Sequence, residues 1–265
     1  MYPEERRAEI FRILREHRRV GVDQLAEMFD VSGATIRSDL RSLEEQRLIR
    51  RTHGGALIED FPIPERQLQK DPVYHERMAE NQPAKRAIGR VAASLLADDD
   101  ALIVDDGSTN LHVVRSIDPH LRGSVLSNGV DICFELVRFP SLTVYSTGGK
   151  LNKEDLSFFG SVAASVVRQF RASIAILGVS GVSLENGFST PSEEKAQLKR
   201  AMIAQSERVV IVADHTKLGR SSVISICGLE DVDTLVTDSA APIDLINDLR
   251  DRGVDVIISE VEGDR

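Results

Sequence analysis

Apolar and polar residues alternate with the period of an α-helix twice in the first 57 positions. Asp23 is placed to cap the first helix, and a polar turn around Gly33 ends it. Ser32 suits the N-cap of the second helix, because its hydroxyl accepts a hydrogen bond from an unpaired backbone N–H group. The second helix carries one apolar stripe at positions i, i+4 and i+7, namely Ile36, Leu40 and Leu43. The inward side of the first helix is predicted to be Leu25, Ala26, Met28 and Phe29.

The polar side of the second helix and the segment after it predict a DNA-binding surface. Hydroxyl and guanidinium groups suit phosphates and guanine edges, and a second helix with a polar N-terminal end is typical of a recognition helix. Two adjacent arginines and a histidine beside Gly54-Gly55 predict a cationic wing, with a turn for which glycine permits positive φ. The predicted DNA contacts are Ser32, Thr35, Arg37, Ser38, Arg41, Arg50, Arg51, His53 and Gly54.

The rest of the chain predicts an α/β domain after a linker. Residues 58–84 contain four prolines and no sustained periodicity, which is typical of a linker. From residue 85 onward, apolar runs alternate with helical patterns, which predicts a mostly parallel sheet covered on both faces. The predicted domains are thus a winged helix-turn-helix at 1–57, the linker at 58–84, and an effector-sensing and oligomerisation domain at 85–265. The predicted strands are 101–104, 125–127, 142–145, 174–178, 209–213, 234–237 and 254–258, and the predicted helices are 85–97, 130–138, 161–171, 193–206 and 242–252.

Polar turns follow five of these strands, at the sheet edge where ligands of α/β proteins bind. Gly107-Ser108-Thr109 opens a helix, so its backbone N–H groups and hydroxyls favour a phosphate. Lys150 and Lys217 are predicted to add positive charge. The side chains of Asp105, Asn128 and Asp214 are predicted to form hydrogen bonds with hydroxyl groups of the ligand. The pattern therefore predicts a pocket for a small polyol that carries a phosphate.

Charge and composition narrow the function further. The net charge of −9 and pI of 5.3 do not fit a general nucleic-acid binder. Residues 1–57, however, carry a net charge of +1, whereas the remainder of the chain carries −10. DNA binding is therefore expected to be site-directed and sensitive to salt. Cys133 and Cys227 lie in apolar runs, which predicts buried thiols without a disulfide or a zinc site; no cofactor is expected. Because no apolar run or N-terminal signal pattern suits a membrane, a cytoplasmic protein without membrane contact is expected.

Two groups of motifs resemble the DeoR family of bacterial regulators. The N-terminal group is V-D-Q-L-A-E-M-F-D-V-S-x-x-T-I-R-x-D-L with R-x-H-G-G-A, in which Thr52 replaces a more usual valine. The second group covers about residues 75–240 and includes D-x-G-S-T, S-N-G, G-G-K-L, F-F-G, G-V-S-G, E-E-K-A-x-x-K-R-A-M and D-H-T-K-L-G. Asp106 and Asn110 depart from the family pattern, which leaves the charge of the effector open.

The resemblance implies a recognition helix around Arg37 and a sensor fold related to ribose-5-phosphate isomerase. It also implies a sugar-phosphate effector and repression of carbohydrate-use genes. The effector site expected from the resemblance, together with Lys150, consists of Asp105, Gly107, Ser108, Thr109, Asn128, Gly148, Gly149, Lys150, Glu194, Lys199, Asp214 and Lys217.

Three functions are consistent with these observations. The favoured one is a ligand-controlled regulator without enzymatic activity, which binds double-stranded operator DNA as a dimer or tetramer, because half-sites are read by paired domains. A constitutive DNA-binding scaffold is the first alternative. The second is a sugar-phosphate isomerase with Glu194, Asp105 and Lys217 as acid and base.

Overall fold

The chain divides into two compact units. The computed structural model describes residues 6, 7, 9, 10, 13, 14, 19–45, 50–52, 54–57 and 73–261. The first unit is Met1–Lys70 and the second is Asp71–Arg265. Residues 6, 7, 9, 10, 13 and 14 are helical and are here called the N-terminal helix.

The first unit is a winged helix-turn-helix, as predicted. Its remaining elements are β1 (Arg19–Gly21), α1 (Val22–Phe29), α2 (Gly33–Glu45), β2 (Arg50–Thr52) and β3 (Gly55–Leu57). The three strands form an antiparallel sheet in the order β1-β3-β2, and the β2–β3 hairpin is the wing.

The core of this unit confirms the predicted stripe on α2, because Ile36, Leu40 and Leu43 are buried in one cluster with Ile10, Ile13 and Leu14 and with residues of α1. The prediction for Met28 is wrong, since its side chain is 62 % exposed. The buried side of α1 is formed by Val22, Leu25 and Phe29. Since successive residues are 100° apart around a helix, Met28 lies about 100° around the axis from the centre of that side. The N-terminus of α1 is capped by Gln24, whose side chain accepts a hydrogen bond from the Gly21 N–H at 3.1 Å, and not by Asp23.

The second unit is a parallel α/β domain, which confirms the predicted fold class. Its seven main strands are β4 (Asp100–Val104), β5 (Gly123–Ser127), β6 (Leu142–Ser146), β9 (Ala172–Gly178), β12 (Ser206–Val212), β14 (Thr234–Asp238) and β15 (Asp255–Ser259). These are the seven predicted strands, and they form one sheet in the order β15-β14-β12-β9-β4-β5-β6. Every neighbouring pair in this sheet is parallel.

Helices cover both faces of this sheet, because its central strands are apolar on both sides. One face packs against α7 (Gly160–Gln169), α8 (Glu193–Ala204) and α9 (Ile243–Asp251). The other face packs against α4 (Gln82–Ala93), α5 (Ser108–Arg115) and α6 (Val130–Leu136). None of the helices in the described ranges has the length and apolar character needed to cross a bilayer.

Several short elements were not predicted. The predicted linker extends too far, because α3 (Val73–Ala79) and the first turn of α4 fall within its C-terminal part; residues 58–72 lie outside the described residues. Pro83 contributes to the linker prediction, but it lies in the first turn of α4, where a helix tolerates proline. The other additions are a hairpin of β7 (Lys150–Asn152) and β8 (Ser157–Phe159), and a small antiparallel sheet of β10 (Gly181–Ser183), β11 (Gly187–Thr190) and β13 (Ile224–Cys227).

The two cysteines are free thiols, but they are half-buried and not fully buried. Burial raises the pKa of Cys133, and it raises the pKa of Cys227 to about 12, with Asp231 and Glu230 adding to the shift. Both side chains are therefore neutral thiols at physiological pH.

Candidate effector pocket and DNA-reading surface

A polar pocket lies at the carboxyl ends of three neighbouring strands, β4, β9 and β12. The segment after β4 contributes Gly107, Ser108 and Thr109, and the end of β9 contributes Gly178. Because the strands are parallel and adjacent, their carboxyl ends bring these distant segments together at one edge. Asp214 and Lys217, which follow β12, complete this side of the pocket.

The N-terminus of α5 opens onto the pocket. Gly107 precedes the helix with a φ of 122°, a conformation that L side chains rarely adopt. The first intrahelical hydrogen bond runs from Leu111 N–H to the Gly107 carbonyl at 3.0 Å. The N–H groups of Ser108, Thr109 and Asn110 precede that bond, so they are available to an anion at the positive end of the helix dipole.

Five cationic side chains line the same pocket: Arg77, Lys85, Lys195, Lys199 and Lys217. Lys85 is buried and its ammonium group donates a hydrogen bond to the Arg77 carbonyl. Burial lowers the pKa of Lys85, while the nearby Asp214 carboxylate opposes this shift and Lys217 adds to it. Arg77 and Lys195 both pair with Asp155, at 2.6 and 2.8 Å.

Asp105 and Lys199 form a buried ion pair below the pocket. The Lys199 ammonium donates to the Asp105 carboxylate and to the Gly178 carbonyl, the latter at 2.9 Å. The Gly178 N–H donates back to Asp105 at 3.2 Å, so this pair fixes the end of β9 to the end of β4. Burial raises the pKa of Asp105 to about 7, although the Lys199 charge opposes the shift.

Asp106, the departure from the family pattern, lines the pocket and is held by Asn128. The Asn128 side-chain amide accepts from the Asp106 N–H at 3.0 Å and donates to the Asp106 carboxylate at 3.2 Å. Burial raises the pKa of Asp106, but Lys199 and Lys195 outweigh it, so the pKa lies below its usual value. Asp106 therefore carries a negative charge inside a pocket whose other charged groups are mostly cationic.

Two buried acceptors at the pocket have no hydrogen-bond partner within the described residues: Asn110 Oδ1 and Asp214 Oδ2. Asn110 donates through its other side-chain atom to the Asp106 carbonyl at 3.0 Å. The second oxygen of Asp214 accepts from the Thr216 N–H at 3.0 Å and from Asn81 at 3.3 Å. A buried acceptor without a partner is costly, so both atoms favour a ligand with hydroxyl donors.

The structure brings together only part of the predicted effector site. Gly107, Ser108, Thr109, Lys199, Asp214 and Lys217 line the pocket, and Asp105 and Asn128 support it from below. The turn after β6 does not line it, because β6 is separated from β4 by β5. Gly148 and Gly149 adopt positive φ in that turn, and Lys150 forms an exposed 3.8 Å ion pair with Glu194. Glu194 therefore lies outside the pocket, away from the acid–base role considered for an isomerase.

Sequence reasoning missed Arg77, Lys85 and Lys195 as pocket residues. Lys195 had a usable signal, since it precedes Lys199 by four positions and so shares its face of α8. Arg77 and Lys85 had none, because they come from α3 and α4 and not from a turn after a strand.

The side chains of α2 that are predicted to contact DNA lie at the start of the helix or on its solvent-facing side. Ser32 caps α2, accepting from the Thr35 N–H at 3.2 Å, and Arg37, Ser38 and Arg41 are exposed. The neighbouring Asp39 is buried and pairs with Arg6 at 2.6 Å, which fixes α2 to the N-terminal helix. The predicted contacts in the wing fall mainly outside the described residues, namely His53 and the side chains of Arg50 and Arg51.

The turn of the wing differs from the prediction in one respect. Neither Gly54 nor Gly55, which are both among the described residues, adopts a positive φ. Gly55 is required by packing instead, because a Cβ there would lie 2.2 Å from the Val20 carbonyl oxygen. Gly54 is exposed, and a Cβ there would have open space within 4 Å.

A winged helix-turn-helix together with an α/β unit that holds a polar, cation-lined pocket is typical of one class of protein, the ligand-sensing transcription regulators. The DeoR C-terminal sensor domain matches residues 80–239, and the DeoR-like helix-turn-helix domain matches residues 6–60. The chain belongs to the DeoR family.

Individual relatives agree with this assignment. The chain is 36 % identical over 237 residues to the transcriptional repressor AccR of Agrobacterium fabrum, covering 89 % of this chain and 90 % of that protein. It is 35 % identical over 264 residues to the HTH-type transcriptional repressor GlcR of Bacillus subtilis, covering 98 % of each. Among solved structures, ribose 5-phosphate isomerase A from Methanocaldococcus jannaschii aligns with 52 % of this chain and 55 % of its own, at 14 % identity and a TM-score of 0.39.

Proposed function

We propose that this protein is a transcriptional repressor of carbohydrate-use genes whose operator binding is controlled by a sugar phosphate. The observation that carries the proposal is the composition of the pocket. An unobstructed helix N-terminus and five cations suit a phosphate, and the two unpartnered acceptors suit hydroxyl groups. The names of the two relatives, both transcriptional repressors, support the repressor part of the proposal.

The ligand half is tested by thermal unfolding with a panel of sugar phosphates and their unphosphorylated counterparts. A ligand at 100 times its dissociation constant stabilises the folded protein by about 2.7 kcal/mol, which shifts the melting temperature by several degrees. We expect a shift only from phosphorylated compounds, and a dissociation constant at least tenfold higher after Lys217→Met. Lys153→Met is the control, because Lys153 is exposed and does not line the pocket. A shift from unphosphorylated sugars alone contradicts the phosphate assignment.

The DNA half is tested by titrating operator DNA with Arg37→Ala and Arg41→Ala at several salt concentrations. Removing a guanidinium that contacts a DNA phosphate lowers the affinity for DNA. It also reduces the slope of log K against log salt concentration by about 1. The control is Arg168→Ala, an exposed arginine on α7 of the sensor unit. If Arg37→Ala and Arg168→Ala bind DNA equally well, α2 is not the recognition helix.

A further inference from the structure

One edge of the seven-stranded sheet, strand β6, carries exposed apolar side chains on both of its sides. Among the described strands, β6 pairs only with β5, so its outer backbone groups face outward. Phe134 and Val137, in and just after α6, are 73 % and 76 % exposed, and α6 packs against β6. Tyr145 of β6 is 48 % exposed. Strand β6 with Phe134, Val137 and Tyr145 is here called the β6 edge.

The opposite edge of the same sheet has the reverse character. There the exposed side chains of α9 and β15 include four carboxylates, those of Asp244, Asp248, Asp251 and Asp255. Charged residues at a sheet edge keep it from pairing with another strand. Of these carboxylates, Asp255 is on the edge strand β15 itself, whereas β6 has no charged residue between Leu142 and Ser146 and so lacks this protection.

The β6 edge is ordered and has a charged rim, which is the arrangement of a protein interface. The Tyr145 ring packs edge-on against Phe170, with centroids 5.8 Å apart and planes at 62°. Beside Phe134, Glu135 pairs with Arg138 at 2.5 Å and with Arg115 at 3.5 Å. Large exposed apolar side chains with ion pairs beside them mark a binding surface.

We propose that the β6 edge is the contact between two copies of this chain, whose β6 strands pair antiparallel about a two-fold axis at Val144. Such a contact must be self-complementary, and a strand without charge does not repel its own copy. The pairing places Thr143 of one copy opposite Tyr145 of the other, so two of the three exposed side chains of β6 lie against the partner strand. The occupant is a second copy because each chain supplies one recognition helix and half-sites are read in pairs; this clause alone rests on the proposed function.

The test is sedimentation equilibrium of the full-length chain. We expect the wild type to be a dimer or a larger assembly. The double variant Phe134→Glu/Tyr145→Glu is expected to raise the dissociation constant of this assembly at least tenfold. Ile243→Glu is the matched control, since Ile243 is a 58 % exposed apolar residue at the opposite edge. A monomeric wild type at micromolar concentration overturns the proposal and leaves the surface to a different protein. So does a double variant that assembles like the wild type.

A cross-linking pair of variants excludes loss of folding as the explanation. Val144 and Ile257 are the half-buried central residues of the two edge strands. Residues directly opposite in an antiparallel pair have Cβ atoms about 4.5–5.5 Å apart, close enough for a disulfide after a small adjustment. Val144→Cys is expected to give a disulfide-linked dimer under mild oxidation, and Ile257→Cys is expected to stay at the wild-type background. No cross-link at position 144, or one at position 257 instead, overturns the proposal. A cross-linked dimer that fails to bind DNA counts against the proposed function and not against the interface.

Discussion

At the scale of single residues, Gly55 of the wing and its neighbour Gly54 have opposite tolerances for a side chain. The Cα of Gly55 faces Gly21 across the β1–β3 pair, and an added Cβ would meet the Val20 backbone at 2.2 Å. Backbone cannot move aside as the end of a flexible side chain can. We therefore expect Gly55→Ala to destabilise the winged unit by about 1–3 kcal/mol, the usual cost of overpacking.

The measurement is thermal unfolding of the full-length chain, followed together with operator binding. Gly54→Ala is the control, because a Cβ added at Gly54 would enter open space, with no contact within 4 Å. Equal melting temperatures for the two variants would show that the β1–β3 contact adjusts without cost.

His112 links the stability of the sensor unit to pH. It is 9 % exposed on α5, and burial lowers its pKa to about 4, with Arg115 and Arg86 adding to the shift. The unfolded chain therefore binds more protons between pH 6.5 and 4, so stability is lost as pH falls through this window. From pH 7 to pH 4.5 the loss amounts to about 2 kcal/mol.

The prediction for His112 is checked by urea unfolding of His112→Gln at pH 7 and pH 4.5. This variant is expected to lose less stability on acidification than the wild type, and His120→Gln, at an exposed position, is expected to behave as the wild type does. An unchanged pH dependence in His112→Gln would assign the acid sensitivity to other groups.

Individual side chains were predictable where a local pattern defines their surroundings. Ser32 and the Ile36 stripe follow from capping and helical period alone. The charge of Asp106 could not be predicted in this way, because it depends on Lys195 and Lys199, which lie about ninety residues further along the chain. The close approach of Val20 to Gly55 likewise depends on strand pairing that no local pattern reports.

At the scale of elements, the start of α2 depends on one cap. The Ser32 hydroxyl accepts from the Thr35 N–H at 3.2 Å and lies 2.9 Å from the Thr35 hydroxyl. Replacing such a cap with alanine costs about 1 kcal/mol. Ser32→Ala is therefore expected to lower the stability of the winged unit by this amount in urea unfolding. Ser38→Ala, at an exposed position inside the same helix, should be neutral or slightly stabilising, since alanine favours helix. Equal effects of the two substitutions would contradict the capping role.

Elements with a long apolar pattern were predicted, and short ones were not. All seven strands of the large sheet were found because each contains a short, mainly apolar run bounded by turn or helix signals. The hairpin of β7 and β8 and the small sheet of β10, β11 and β13 have strands of three or four residues, too short to show a period. Sheet order was also beyond the sequence, and it decides that the turn after β6 lies outside the pocket.

At the scale of the whole molecule, Asp155 connects the pocket to the helix that begins the sensor unit. Its carboxylate pairs with Arg77 of α3 and with Lys195 of α8, and both cations line the pocket. The anionic ligand proposed for this pocket would compete with Asp155 for the same two cations. Because α3 follows the segment that leads from the DNA-reading unit, an exchange of partners at Arg77 acts on the part of the sensor closest in sequence to that unit.

This competition predicts that Asp155→Asn binds a phosphorylated ligand more tightly than the wild type. Removing one carboxylate raises the positive potential at Arg77 and Lys195, and at partly exposed sites this corresponds to about three- to tenfold in affinity. Isothermal titration with the compound identified by the thermal-shift panel measures the change. Asp118→Asn is the control, because Asp118 is exposed beyond the far end of α5 from Ser108. Weaker binding by Asp155→Asn would mean that Asp155 orients the two cations for the ligand, since a competitor's removal cannot lower affinity.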